Sequence, residues 1–141
     1  MRSAKCEIGF APYYFANMDE NIMKTQDNII ETKSFDFAIK IINLYKIIVY
    51  NKNERTLATQ ILRSGTSIGA NVTEAQKGQS KADFYAKMNV ALKEANETYY
   101  WLRLLSETDY ISNKEFINLE NDIKEIISIL VAITKQQKTN S

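Results

Sequence analysis

Glu94, Glu97 and Trp101 recur at spacings of three and four within K-E-A-N-E-T-Y-Y-W-L-R-L-L, residues 93–105. On a helix this spacing sets two carboxylates and an indole on one face. Two neighbouring carboxyl groups beside an apolar ring can support acid/base chemistry, because one is driven to keep its proton while the other ionises. A plainer reading fits better: the pair partners a guanidinium, Arg63 or Arg103, beside a core aromatic. Lys93 can add an i,i+4 pair with Glu97, worth only about 0.3 kcal/mol. The chemical company that catalysis needs is missing. Histidine is absent, so the commonest general base and metal ligand is not available. Cys6, the single cysteine, excludes an intrachain disulfide and a cysteine-based zinc site. No glycine-rich phosphate loop and no carboxylate–histidine metal motif occurs. The expectation is a protein without catalytic residues, cofactor or metal.

A second constellation lies in R-S-G-T-S-I-G-A-N-V-T-E-A-Q, residues 63–76. It combines a helical apolar rhythm with residues that helices disfavour. Gly65 and Gly69 each cost about 1 kcal/mol relative to alanine, and Thr66, Ser67, Asn71 and Thr73 each add a few tenths. Packing must offset that sum. Ala58, Ile61, Leu62, Gly65, Ile68, Gly69 and Val72 share one face with the glycines near its centre. That predicts close backbone approach to a facing helix, against Trp101 or Tyr99. Gln60, Arg63, Ser67, Asn71 and Glu74 form a second stripe almost opposite. Short Ser and Asn side chains solubilise poorly compared with Lys or Glu and suit a hydrogen-bonded contact. These five are the candidate subunit-interface residues.

The elements that would carry these groups are long helices. One proline, Pro12, and four glycines, at 9, 65, 69 and 78, are few breakers for 141 residues. Residues 1–30 read as an irregular N-terminal extension, with Met18 and Met23 as alternative starts and Phe10, Tyr13, Tyr14 and Phe15 as aromatics able to pack on a neighbour. Residues 31–138 read as one domain. Ser34 caps a first helix reaching about Asn51, with Phe35, Ala38, Ile41, Ile42, Tyr45, Ile48 and Val49 at helical spacing. Asn53 caps a second, from Glu54 to about Lys77, ending near Gly78. Ser80, with Asp83 in a near capping box, opens a third to residue 106. Ser112 or Asn113 opens a fourth, whose buried stripe runs from Phe116 through Leu119, Ile123, Ile126, Ile127 and Leu130 to Ile133. Lys135 and Lys138 near its end suit the helix dipole. Four amphipathic helices with short connections predict an all-α, antiparallel up-and-down four-helix bundle.

The charge balance limits partners. Eighteen basic and seventeen acidic side chains leave a formal charge of +1, so the whole molecule exerts little pull on nucleic acid or membrane. Residues 52–103 are mildly basic and residues 104–141 mildly acidic. No run reaches the ~20 apolar residues that cross a bilayer. The N-terminus lacks the apolar stretch of a signal peptide. A lone thiol is compatible with the cytoplasm.

With these segments in view, the chain resembles a known family. S-I-G-A-N-V-T-E-A-Q at 67–76, S-K-A-D-F at 80–84, A-L-K-E-A-N-E-T at 91–98 and Y-W-L-R-L-L at 100–105 are similar to the bacterial four-helix-bundle proteins called 23S rRNA intervening-sequence proteins, historically a ribosomal-protein-like family. The likeness covers about residues 34–137. Its motif falls here on Ser67, Ile68, Asn71, Val72 and Glu74, then Ser80, Asp83 and Phe84, then Glu94, Glu97 and Trp101. The resemblance implies a homopentamer, a gene context inside insertions in large-subunit ribosomal RNA genes as well as elsewhere, and no defined catalytic site. It also implies kinship with the accessory protein of diversity-generating retroelements, which is strongly basic and binds RNA and a reverse transcriptase. A charge of +1 departs from that branch. A ring would still repeat a few cations around its axis. Lys77, Lys81 and Lys87, at or near the connection between the second and third helices, are the nucleic-acid-binding candidates. Two functional readings follow: an oligomeric RNA-associated protein, or a scaffold that recruits a protein partner without nucleic acid.

Overall fold

A computed structural model of the chain describes the backbone of residues 20–139 and the side chains of residues 29–137. Four helices follow one another: α1 (Glu20–Lys52), α2 (Thr56–Gln76), α3 (Lys81–Glu107) and α4 (Asn113–Thr139). Each packs chiefly on two neighbours, α1 on α2 and α4, and α3 on α2 and α4. α1 and α3 therefore stand on one diagonal of an antiparallel four-helix bundle and run in the same direction.

Local chemistry stops and starts the helices. The Ser80 hydroxyl accepts from Asp83 N at 3.1 Å, while Asp83 Oδ2 accepts from Gln79 N at 3.3 Å. At α4 the box is fully reciprocal. Ser112 Oγ accepts from Glu115 N, and Glu115 Oε1 accepts from Ser112 N at 2.9 Å. α3 ends with Asp109 at φ 65°, Tyr110 N donating to Leu105 O, and Asp109 N donating to Ser106 O. That is a Schellman end with aspartate where glycine is usual.

The core is built from Phe37, Ile41 and Ile48 of α1, Ile61, Ile68 and Val72 of α2, Phe84, Met88 and Leu102 of α3, and Ile123, Leu130 and Ile133 of α4, all 0–1% exposed. Gly65 faces Ile41. A Cβ at position 65 would lie 2.9 Å from Ile41 Cγ2, and one at position 69 would lie 3.4 Å from the Ser34 carbonyl oxygen. The close approach expected of the glycine face is present, but the facing helix is α1. Trp101 and Tyr99, proposed from the sequence, are on α3 on another side of α2.

Three further expectations are corrected. α1 starts at Glu20, fourteen residues before the expected cap. Ser34 is buried mid-helix, and its hydroxyl donates to the Glu31 carbonyl at 3.2 Å. Residues 20–30 of the expected extension belong to α1, and residues 1–19, with its aromatics, lie outside the described residues. Second, Phe35 and Ile42 face outward, at 60% and 38% exposure, while Phe37 and Leu44 take the inner positions. Third, Asn53 does not cap α2. It turns the chain at φ 56°, and Glu54 Oε2 accepts from Leu57 N at 2.6 Å instead.

Candidate functional site

α2 and α3 meet along a polar seam that contains most of the residues singled out above. Arg63 reaches across from α2. Its Nη1 donates to Glu94 Oε1 at 3.2 Å, and its Nη2 donates to Glu97 Oε2. Glu97 Oε2 also accepts from Trp101 Nε1 at 3.0 Å. The hydrogen bonds from Trp101 and from Arg63 hold the Glu97 carboxyl below the usual carboxylate range. The bond to Glu97 likewise raises Arg63. Both donors favour the ionised carboxylate, so Glu97 is poorly suited to deliver a proton at neutral pH. The plainer reading of Glu94 and Glu97, as ion-pair partners for Arg63 beside an aromatic, describes this geometry.

Under that seam lies a contact that spacing did not reveal. Thr98 Oγ1 is 2.9 Å from Ser64 Oγ and 2.8 Å from the Glu94 carbonyl, and both side chains are fully buried. One hydroxyl proton cannot serve two acceptors, so each hydroxyl supplies one bond: Thr98 to the carbonyl and Ser64 to Thr98. Thr98 occupies a core step of α3 between Ala95 and Leu102. A hydroxyl there was the one available signal that α2 offered a polar partner.

The other members of the polar stripe are engaged within the chain. Ser67 Oγ donates to the Arg63 carbonyl at 2.7 Å, and Asn71 Nδ2 donates to the Ser67 carbonyl at 2.8 Å. Such back-bonding satisfies the side chain along its own helix. Glu74 Oε1 receives Lys87 Nζ at 2.8 Å. An interface candidate and a nucleic-acid candidate are thus partners of each other. Gln60 is half-buried. The sequence places these five on one stripe, and the structure turns Arg63 and Glu74 toward α3.

Lys77 follows the last residue of α2 as its C-cap and Lys81 begins α3, so the two flank the same hairpin. Lys77 is exposed and Lys81 half-buried. Lys77 and Lys87 line a shallow hollow of about 420 Å³ with Glu74 and Asp83, two charges of each sign. Lys77 also acts on Glu31 of α1. Burial raises the Glu31 carboxyl, and the Lys77 charge only partly counters it. Glu31 Oε1 is buried without a hydrogen-bond partner among the described residues.

On the α3–α4 side, Tyr99 donates to Glu120 Oε2 at 2.6 Å. Arg103 and Lys124 stand 5.9 and 5.8 Å from the Tyr99 ring centre. A cleft of about 400 Å³ opens beside them, lined by Tyr100, Arg103, Leu104, Glu107 and Phe116. Among the described residues no cluster of three acidic or cysteine side chains could hold a metal ion. None of the described helices is long and apolar enough to cross a membrane.

Comparison with known proteins agrees with this architecture. No curated protein matches the chain. A solved structure from Bacteroides thetaiotaomicron, described as a protein with unknown function from the S23 ribosomal protein family, is 52% identical. It covers 78% of this chain and 98% of its own, with a TM-score of 0.77. The family model of the 23S rRNA-intervening sequence protein matches residues 26–132, which include all of α2 and α3 with the Arg63–Glu94–Glu97–Trp101 seam. The chain belongs to the 23S rRNA-intervening sequence protein family.

Proposed function

We propose that this protein acts by binding and not by catalysis: it is a self-associating, RNA-associated protein of the cytoplasm. The observation that carries this reading is the outer row of α1, where Phe35, Ile39 and Ile42 are 60%, 45% and 38% exposed. Large apolar side chains in a row on the outside of a bundle mark a contact surface. The family's name supports an RNA connection, and the resemblance implies five copies. Lys77 and Lys81 at the α2–α3 hairpin are the cations that such an assembly would repeat around its axis. Self-association would also give the interface candidates Gln60, Ser67 and Asn71 a neighbour to meet.

One observation favours a second reading, a scaffold for a protein partner with no nucleic-acid role. Lys87 is neutralised by Glu74, and Asp83 stands in the same hollow, so the hairpin is less basic than its lysines suggest. Two measurements test the pair. Sedimentation equilibrium of the purified protein should give a multiple of 16.2 kDa, with nucleic acid visible as a raised 260/280 nm absorbance ratio. Affinity for structured RNA should fall steeply between about 50 and 200 mM salt, because each phosphate contact releases counterions. A flat salt response rules out phosphate binding. A partner retained after nuclease treatment then favours the scaffold.

A further inference from the structure

The cleft between α3 and α4 combines aromatic surface with charges that the fold leaves unused. Tyr100, Arg103, Leu104 and Glu107 follow one another at steps of three, one and three on α3 and form one side of it, and Phe116 and Glu120 of α4 form the other. Its volume of about 400 Å³ is that of a small-molecule site. Tyr100 is 53% exposed, and its ring meets Trp101 edge to face at 5.0 Å. Trp101 is in turn fixed by its hydrogen bond to Glu97. The α2–α3 seam thus holds an exposed ring in place, and a ring so held costs little entropy to order when a ligand stacks on it.

The charges of the cleft divide into engaged and free groups. Glu120 accepts from Tyr99 at 2.6 Å and stands 3.5 Å from Lys124 Nζ. Arg103 and Glu107 belong to no ion pair among the described residues. They are four residues apart, yet they do not join each other. The Arg103 guanidinium lies back over Tyr99, 5.9 Å from the ring centre. A cation beside the tyrosines and a carboxylate about two turns along α3 therefore flank the aromatic surface, ~10 Å apart by the helical rise. A ligand that satisfies both needs an anionic group, a flat apolar body and N–H donors for the carboxylate. A nucleotide supplies all three. Of the RNA bases, guanine alone presents two adjacent N–H donors, N1–H and the 2-amino group, on its Watson–Crick edge. An ionised carboxylate, an acceptor with two oxygens, matches that pair.

We propose that this cleft binds an unpaired guanine nucleotide: the base stacks on Tyr100 beside Phe116, Glu107 accepts from N1–H and the 2-amino group, and Arg103 donates to the phosphate. The site rests on the RNA-associated reading and adds base selection to it. Stacking tolerates any base, since each has a π face, so Glu107 supplies the selection. The base must be unpaired, because only then is its Watson–Crick edge free to be read. Lys81 and Arg103 lie about six turns apart on α3, ~33 Å at ~1.5 Å per residue. Phosphate contacts at the α2–α3 hairpin and base contacts in the cleft are therefore separable by mutation. A free guanine mononucleotide carries the same groups as a guanosine within RNA, and the experiment distinguishes the two sources.

The test measures binding of the full chain to labelled oligouridylates carrying one central guanosine or one central adenosine, by fluorescence anisotropy at low salt. Binding of guanosine monophosphate is measured by calorimetry. The guanosine probe should bind about tenfold more tightly than the adenosine probe, as one bidentate base contact provides. Glu107→Gln should remove most of that preference and keep the affinity for the adenosine probe. Tyr100→Ala should weaken both probes about tenfold, as loss of one stacked base does, and Tyr100→Phe should restore them. Both side chains are exposed, so helical circular dichroism and sedimentation mass should match the wild type. Lys77→Ala with Lys81→Ala should weaken both probes equally and leave their ratio unchanged. Equal affinity for the two probes, or a preference that Glu107→Gln leaves intact, overturns the site while the RNA-associated reading stands. A guanosine preference without binding of the free nucleotide supports the site and identifies RNA as the source. Binding of guanosine monophosphate and of neither oligonucleotide supports the site for a free nucleotide and overturns the RNA reading. Binding of no probe overturns both.

Discussion

Two carboxylates, Glu31 and Glu97, respond to burial and to partners in opposite senses. Glu97 accepts from Trp101 and Arg63, and its folded pKa lies below the ordinary 4.5. Its contribution to stability is therefore complete above 4.5 and is lost as pH falls through the lower folded value. Glu31 is raised from 4.5 by burial, and one oxygen has no hydrogen-bond partner among the described residues. The folded state holds this proton more firmly, so the favourable contribution is present below 4.5 and disappears as pH rises through the raised value. Above the raised value the ionised, partly desolvated Glu31 is a cost. Glu31→Gln keeps the shape and removes the charge. It should raise the urea midpoint at pH 7 and lose most of that advantage at pH 4, below the ordinary carboxylate value, where Glu31 holds its proton in both states. Both melts need equal protein concentrations, since association shifts apparent stability. A gain of the same size at both pH values would assign the effect to packing. Neither Glu31 nor the Ser64–Thr98 bond was legible in the sequence, because each depends on which helix lies opposite. The Arg63 pairing was legible, because two carboxylates on one helical face call for a cation and few were at hand.

At the scale of elements, the sequence disclosed α2, α3 and α4 to within about two residues at their ends, because capping residues and breakers mark them. α1 was misread for two physical reasons. Serine ahead of an apolar rhythm has the signature of an N-cap, yet the Ser34 hydroxyl bonds back to Glu31 inside a longer helix. No proline or glycine lies between Pro12 and Gly65, so nothing in the sequence forbade the earlier start. The inner face was ambiguous because Ile, Phe and Leu surround the helix, and spacing cannot choose a side when both are apolar. The glycine face of α2 was read correctly as a close approach and assigned to the wrong neighbour. Its two glycines have unequal roles. Alanine at either site gains about 1 kcal/mol of helix propensity. At position 65 the new Cβ meets the branched Ile41 side chain at 2.9 Å, and overpacking of this kind costs about 1–3 kcal/mol. At position 69 the nearest atom, the Ser34 carbonyl oxygen, is at an ordinary 3.4 Å. Gly69→Ala should therefore be neutral or stabilising and Gly65→Ala destabilising, a difference of about 1–3 kcal/mol by urea denaturation. Equal effects at the two positions would contradict the asymmetric packing against α1.

For the whole molecule, the diagonal relation of α1 and α3 matters more than any single helix. It leaves the outer side of α1, with Phe35, Ile39 and Ile42 at 60%, 45% and 38% exposure, uncovered by the rest of the bundle. The self-association proposed above makes that side a contact surface. Ile39→Glu should then lower the sedimentation mass toward 16.2 kDa with helical circular dichroism unchanged, because the side chain lies outside the core. An unchanged mass in a wild type that does associate would show that copies meet on some other face of the bundle.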